Sequence, residues 1–260
     1  IPDFSNVAVI LSAVNFSAKY LDGLNAYTAG FEKHDKGNTN KVYTSFKSMI
    51  RNHKEDITYL LYPNDWDAGK LNNSLLLGYE HTYTYKLGTG KINLDLRSST
   101  LMSDYDYANI RLSVINKNRL GKFNLNTRTL IQYGTGTNGP KESALYLAGA
   151  SPEELMDNKF TRSAAFFPSD WMGYGANTNY FQMGGGLNLR GYAGYLVPEE
   201  VENGIVKFVY RGNSGAALNS ELEFDQLFKF IHITDKNGII KWMKNIFKLN
   251  TYLFGDIGVI

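Results

Sequence analysis

The sequence predicts an all-β fold: an antiparallel β-barrel that crosses a membrane on its strands. Three observations predict it. Apolar and polar residues alternate strictly along several runs of about ten residues or more, against roughly five or six in an ordinary strand. The 260-residue chain is rich in Tyr (18), Phe (15) and Gly (25) and poor in Pro (6), yet its mean hydropathy is only −0.30. Alternation produces that combination, because lipid-facing and interior residues cancel in the average. The links between runs also alternate between short, turn-rich ones and longer ones, as in a barrel with tight turns at one rim and loops at the other. A soluble sandwich turns charges outward too. Run length weighs against it, since a barrel strand needs about 9–11 residues to cross the hydrocarbon layer.

The first 50 residues read as three strands of poorer alternation, with residues 6–17 apolar on both faces. From there the pattern sharpens. Leu75, Leu77, Tyr79, His81, Tyr83 and Tyr85 oppose Ser74, Leu76, Gly78, Glu80, Thr82 and Thr84. Ile92, Leu94 and Leu96 oppose Lys91, Asn93, Asp95 and Arg97. Ala108, Ile110, Leu112 and Val114 oppose Tyr107, Asn109, Arg111 and Ser113. Phe123, Leu125, Thr127, Thr129, Ile131 and Tyr133 oppose Lys122, Asn124, Asn126, Arg128, Leu130 and Gln132. The links at 34–39, 87–90 and 116–121 are short. Those at about 52–70 and about 135–215 are long, and the one near Ser103 is short against the rule.

Beyond the long loop, Leu218, Ser220, Leu222 and Phe224 alternate with Asn219, Glu221 and Glu223. A last strand, about 249–259, sets Leu249, Thr251, Leu253, Ile257 and Val259 against Asn250, Tyr252, Phe254 and Asp256. Between these two strands, Ile239, Trp242, Met243, Ile246 and Phe247 sit at helical spacing with Lys241, Lys244 and Lys248 opposite. That suits a short interfacial helix. A hairpin around Asp235-Lys236-Asn237-Gly238 is the equal alternative. About nine to eleven strands result. A barrel in lipid leaves no free edge, so further strands are expected outside this chain, and residues 1–260 read as an incomplete barrel domain.

Several chemistries are set aside. With 27 basic and 25 acidic residues there is no charge footprint for nucleic acid. With no cysteine there is neither a disulfide scaffold nor a Cys-ligated zinc site. His34, His53, His81 and His232 are scattered, with none at metal-ligand spacing. His53 with Glu55 and Asp56 reads as a solvated loop. The stretch from Gly134 to Lys141 is not a P-loop, because Pro140 separates glycine from lysine and no Ser or Thr follows. A barrel phospholipase would need a Ser positioned for His81, and none is evident. Catalytic residues, metal and cofactors are therefore all expected to be none.

The long loop carries Gly184-Gly185-Gly186-Leu187-Asn188-Leu189-Arg190-Gly191-Tyr192. Glycines let a backbone pack against a wall. An arginine taken out of bulk water needs partners, and Glu223, Phe254 and Asp256 lie on the polar faces of the two strands that follow. In the insert before the glycines, Ser151 followed by Glu154 makes a capping-box pattern.

At these residues the chain resembles the BamA/surface-antigen superfamily of bacterial outer-membrane barrels. Leu189-Arg190-Gly191-Tyr192 is similar to the signature of that family's sixth outer loop, and Leu222-Glu223-Phe224 and Phe254-Gly255-Asp256-Ile257-Gly258 are similar to its inner-wall strands. The resemblance is sharp from about 184 to 259, architectural from 71 to 134 and weak before that. It implies part of a 16-stranded barrel in the bacterial outer membrane, with the loop folded into the lumen and Arg190 contacting Glu223 and Asp256 beside Phe254. It also implies closing strands and an upstream domain outside this chain. Implied partners are lipopolysaccharide and phospholipid, unfolded outer-membrane proteins and accessory subunits. The function implied is insertion or translocation of outer-membrane proteins. The competing expectation is a non-catalytic barrel anchoring a fused soluble domain, peptidase-like or binding, because the insert of about fifty residues from Thr135 to Gly184 is longer than in the assembly members. A passive pore is disfavoured by a loop that fills the lumen.

Overall fold

The computed structural model describes residues 7–18, 21–51, 69–121, 123–147, 149–151, 153–154, 185–192, 199–202, 205–208, 211–224 and 251–260. Their strands are β1 (Val7–Ala18), β2 (Leu21–Asp35), β3 (Asn38–Arg51), β4 (Leu71–Tyr85), β5 (Gly88–Ser99), β6 (Asp106–Leu120) and β7 (Phe123–Asn138). Within the long loop come β8 (Leu145–Tyr146), β9 (Glu199–Glu202), β10 (Ile205–Phe208) and β11 (Arg211–Gly212), followed by β12 (Gly215–Phe224) and β13 (Thr251–Val259). The interfacial helix or hairpin weighed for 235–248 lies outside the described residues, as do His53, Glu55, Asp56, His232 and Gly184.

One antiparallel sheet of nine strands in the order β1-β2-β3-β4-β5-β6-β7-β12-β13 organises the described residues. Among the described strands of this sheet each pairs with its sequence neighbour, and β7 pairs with β12 across the long loop. The sheet is not closed: β1 and β13 are its two edges. The three links expected to be short are two-residue turns, because Asp35 pairs Asn38, Tyr85 pairs Gly88 and Leu120 pairs Phe123. In the first of them Lys36 and Gly37 both take positive φ (42° and 88°), the turn whose twist matches that of the strands it joins. The three weakly alternating runs before residue 51 are β1, β2 and β3. The link near Ser103 is short because it folds back on β4: the Leu71 amide donates to Asp104 at 2.6 Å, and Asp104 N–H donates to the Leu71 carbonyl at 2.8 Å.

The register carries one face across the sheet. Lys47 lies opposite Ser74, Leu76 opposite Arg97, Asp95 opposite Arg111, Arg111 opposite Gln132, Arg128 opposite Asn219, and Asn219 opposite Asp256. Side chains alternate with period two, so all of these share one side. The other side carries Val9, Leu11, Phe31, Val42, Leu77, Ile110, Ile131, Leu218, Leu253 and Ile257.

Burial is inverted relative to a water-soluble domain. Leu11 is 78% exposed and Ile257 71%, while Asn72 (2%), Gln132 (4%) and Asn219 (5%) are buried. At the two-residue-turn end of the apolar face, Tyr79, His81, Tyr83 and Tyr85 form a row of neighbouring rings 5.5–6.5 Å apart. Tyr79 donates to Asn40 and Tyr83 to Asn116, at 3.0 and 2.6 Å. At the same end Phe123 meets Phe224 edge to face at 5.3 Å.

Candidate functional site: a loop docked on the polar face

Three described stretches of the long loop, around β8, residues 185–192 and β11, are joined to one another by backbone hydrogen bonds. β8 pairs β11 through Tyr146–Arg211 and Leu145–Gly212. Leu187 N–H donates to the Tyr146 carbonyl (3.3 Å) and Leu189 N–H to that of Leu147 (2.8 Å). This backbone contact explains the glycines. A Cβ on Gly186 would stand 2.3 Å from the Gly149 carbonyl oxygen, and φ there is +47°. One on Gly185 would stand 2.8 Å from the Cα of Ala150. Only glycine accepts that approach. The side chains of Leu145, Leu147, Leu187 and Leu189 then close a small apolar core over Leu130 of β7 and Ala217 of β12, with Leu187 completely buried.

Arg190 follows directly, in a single 3-10 turn formed by Arg190–Tyr192. Its backbone N–H and its Nε both donate to Asp256 Oδ2 (2.9 and 2.8 Å), and its Nη2 donates to Oδ1 at 2.7 Å. Nη1 bonds Glu221, and Nη2 also reaches the Ser220 carbonyl at 3.2 Å. The guanidinium carbon stands 4.1 Å from the centre of the Phe254 ring. The arrangement combines a bidentate fork, a second carboxylate and a ring face, which together exploit a planar cation fully. The Asp256 side chain is only 6% exposed. Hydrogen bonding to Asp256 holds the Arg190 guanidinium above its ordinary pKa.

The structure thus brings Arg190, Asp256 and Phe254 together. It does not bring Glu223 to them, and here the expectation is corrected. Glu223 accepts instead from Asn126 Nδ2 at 2.7 Å and Asn124 Nδ2 at 3.4 Å. The reason is register. Asp256 lies opposite Asn219, Phe254 opposite Glu221, and Glu223 opposite Tyr252. The loop seats Arg190 level with the first two rows, so the carboxylate in reach is Glu221. Tyr192 is 40% exposed, its N–H donates to the Leu189 carbonyl at 3.0 Å, and a Cβ on Gly191 would meet no heavy atom within 4 Å. These two motif residues shape the turn.

Four residues that the sequence pattern did not tie to this site help to build it. Asn219 donates through one amide nitrogen toward Asn188 O (2.9 Å), Asp256 Oδ1 (3.2 Å) and Leu187 O (3.4 Å). Arg128 donates to Asn219 Oδ1 at 3.0 Å and to the Gly186 carbonyl at 2.7 Å. Glu153 takes both terminal nitrogens of Arg97 at 2.9 Å, and Lys47 at 3.3 Å. Glu154 takes Arg111 at 2.7 Å. The capping box at Ser151 is present, with Ser151 N–H on Glu154 Oε2 (2.9 Å) and Glu154 N–H on Ser151 Oγ (3.2 Å). One legible signal pointed to these residues: arginines on the polar faces of three consecutive strands require carboxylates, and the insert holds a Glu-Glu pair.

No protein-family model matches the chain, and no curated protein matches it. Among solved structures, one that matches is the crystal structure of BamA from Haemophilus ducreyi lacking POTRA domains 1-3. It is 16% identical with a TM-score of 0.44, over 97% of this chain and 45% of that one. The chain therefore spans less than half the length of that protein.

Proposed function

We propose that the chain is part of an outer-membrane barrel of the BamA/surface-antigen type, acting in the insertion or translocation of outer-membrane proteins. One observation carries the membrane reading: from β3 to β13 the apolar face is exposed while the opposite face is polar, charged and contacted by a loop. A soluble monomer rarely exposes so continuous an apolar face to water. Lipid accommodates it. The aromatic row at the turn end then sits at a headgroup boundary. The polar face becomes a lumen, the long loop its plug, and the open edges β1 and β13 take further strands, because lipid satisfies no backbone donor.

The assembly role rests on the resemblance at the loop motif together with the docking of Arg190. A second reading, a barrel that anchors a soluble domain, is favoured by the extent of the plug's contacts, which reach β3 at one side and β13 at the other. Reconstitution of the full-length protein in vesicles separates the two. An assembly factor speeds the folding of an added unfolded outer-membrane protein, scored by its mobility on an unheated denaturing gel. Folding no faster than in empty vesicles overturns the assembly role and leaves the anchor.

A further inference from the structure

The loop meets the wall through two ionic contacts of opposite polarity. At β12 and β13 the wall is acidic (Glu221, Asp256) and the loop brings Arg190. At β3, β5 and β6 the wall presents Lys47, Arg97 and Arg111, with Asp95 opposite Arg111 leaving a net positive charge, and the loop brings Glu153 and Glu154. The second contact is built, not incidental. The Glu153 side chain is only 5% exposed and receives Arg97 through two parallel bonds, with Lys47 and the Ser143 hydroxyl also on its oxygens. Arg97 is itself steadied by Ser74 Oγ at 3.3 Å and the Tyr107 ring, 5.6 Å from its guanidinium carbon.

The Glu154 carboxylate does three things at once. It caps Ser151, accepts Arg111, and accepts the Gly186 amide at 3.0 Å. It therefore ties the insert to the glycine run and so to Arg190. Between the two contacts Arg128 holds the Gly186 carbonyl.

We infer that Glu153 and Glu154 form a second anchor of the loop, and that the opposite polarity of the two anchors sets the only direction in which the loop seats across the wall. Reversing the loop would place Arg190 against Arg97 and Glu153 against Asp256. The inference uses the reading of the polar face as a lumen. It assigns to the insert, whose length departs from the family pattern, a positioning role.

The test uses the full-length protein with Ala144→Cys as reporter. Ala144 belongs to the loop, directly before β8, and is buried in the docked structure, and this chain has no cysteine of its own. Labelling of position 144 by a small maleimide is timed on folded protein in lipid. Glu153→Arg is expected to speed labelling at least tenfold, Glu153→Gln by less, and Glu153→Arg with Arg97→Glu to return it toward the parent rate. An unchanged rate in Glu153→Arg, or a double exchange that labels as fast as the single, overturns the anchor. If Glu153→Arg does not fold, recovery of the folded gel mobility in the double exchange supports the anchor and its absence overturns it. Failure of the assembly role would appear separately, as unaltered labelling behaviour in a protein that does not promote client folding.

Discussion

At the scale of single residues, Arg190 concentrates the most consequence. Its partners are held on two adjacent strands, and the Arg190 and Asp256 side chains are only 16% and 6% exposed, so removing either of these two leaves a largely buried charge without its partner. Breaking such a pair costs about 3–5 kcal/mol. Arg190→Glu should accordingly lower the fraction of protein that keeps its folded mobility on an unheated gel, and adding Asp256→Arg should restore part of it. Restoration by neither Asp256→Arg nor Glu221→Arg would contradict the pairing. The corrected partner gives a sharper comparison. Glu221→Gln should loosen the loop, seen as faster labelling at position 144 in the Ala144→Cys reporter, whereas Glu223→Gln, which faces Asn124 and Asn126, should leave labelling unchanged.

At the scale of elements, the described parts of the long loop form a small packed unit. Hydrogen bonds within the loop, a capping box and four leucines closing over Leu130 and Ala217 organise it. Gly186→Ala is expected to undo that unit, because the added carbon collides with the Gly149 carbonyl oxygen and the backbone angle is already left-handed. Leu187→Ala should cost about 2–5 kcal/mol as a cavity in the centre of the loop core. In chemical denaturation both variants should undock the loop at lower denaturant than the parent, while the tight turns between β2 and β3 or β4 and β5 are unaffected. Loss of the whole sheet at the same denaturant concentration as the loop would argue against a separable unit.

For the molecule as a whole, the inverted arrangement of polarity is the governing feature, and it makes the two faces respond oppositely to the same substitution. Leu77 is 51% exposed near the middle of β4. Leu77→Arg puts a charge into hydrocarbon and should cost about 2–4 kcal/mol. Ser12→Arg projects from the opposite side of β1, opposite Thr28, and should cost little. Equal effects of the two on unfolding in lipid vesicles would remove the case for a lipid-facing surface.

What the sequence determined by itself was the strand grammar. Strict alternation over 74–85, 91–97, 107–114 and 123–133 assigned the central residues of β4 to β7 to their faces, because a period of two leaves no freedom once one residue is placed. The weaker alternation of β1 to β3 hid face but not strand. Arg190, Asp256 and Phe254 were legible because a cation in a glycine-rich loop requires partners and those two residues stand on a polar face. What only the tertiary structure decided was level. Glu221 and Glu223 share a face and differ by one pleat, and no periodicity separates them. The choice between them follows from how far along β12 the loop is seated, which is set by Leu187 and Leu189 packing on Leu130 and Ala217 and by Asn219 holding two loop carbonyls. The same holds for Glu153 and Glu154. Their meeting with Arg97 and Arg111 joins residues 56 and 43 positions apart, and that proximity arises only when the loop folds back over strands it left behind.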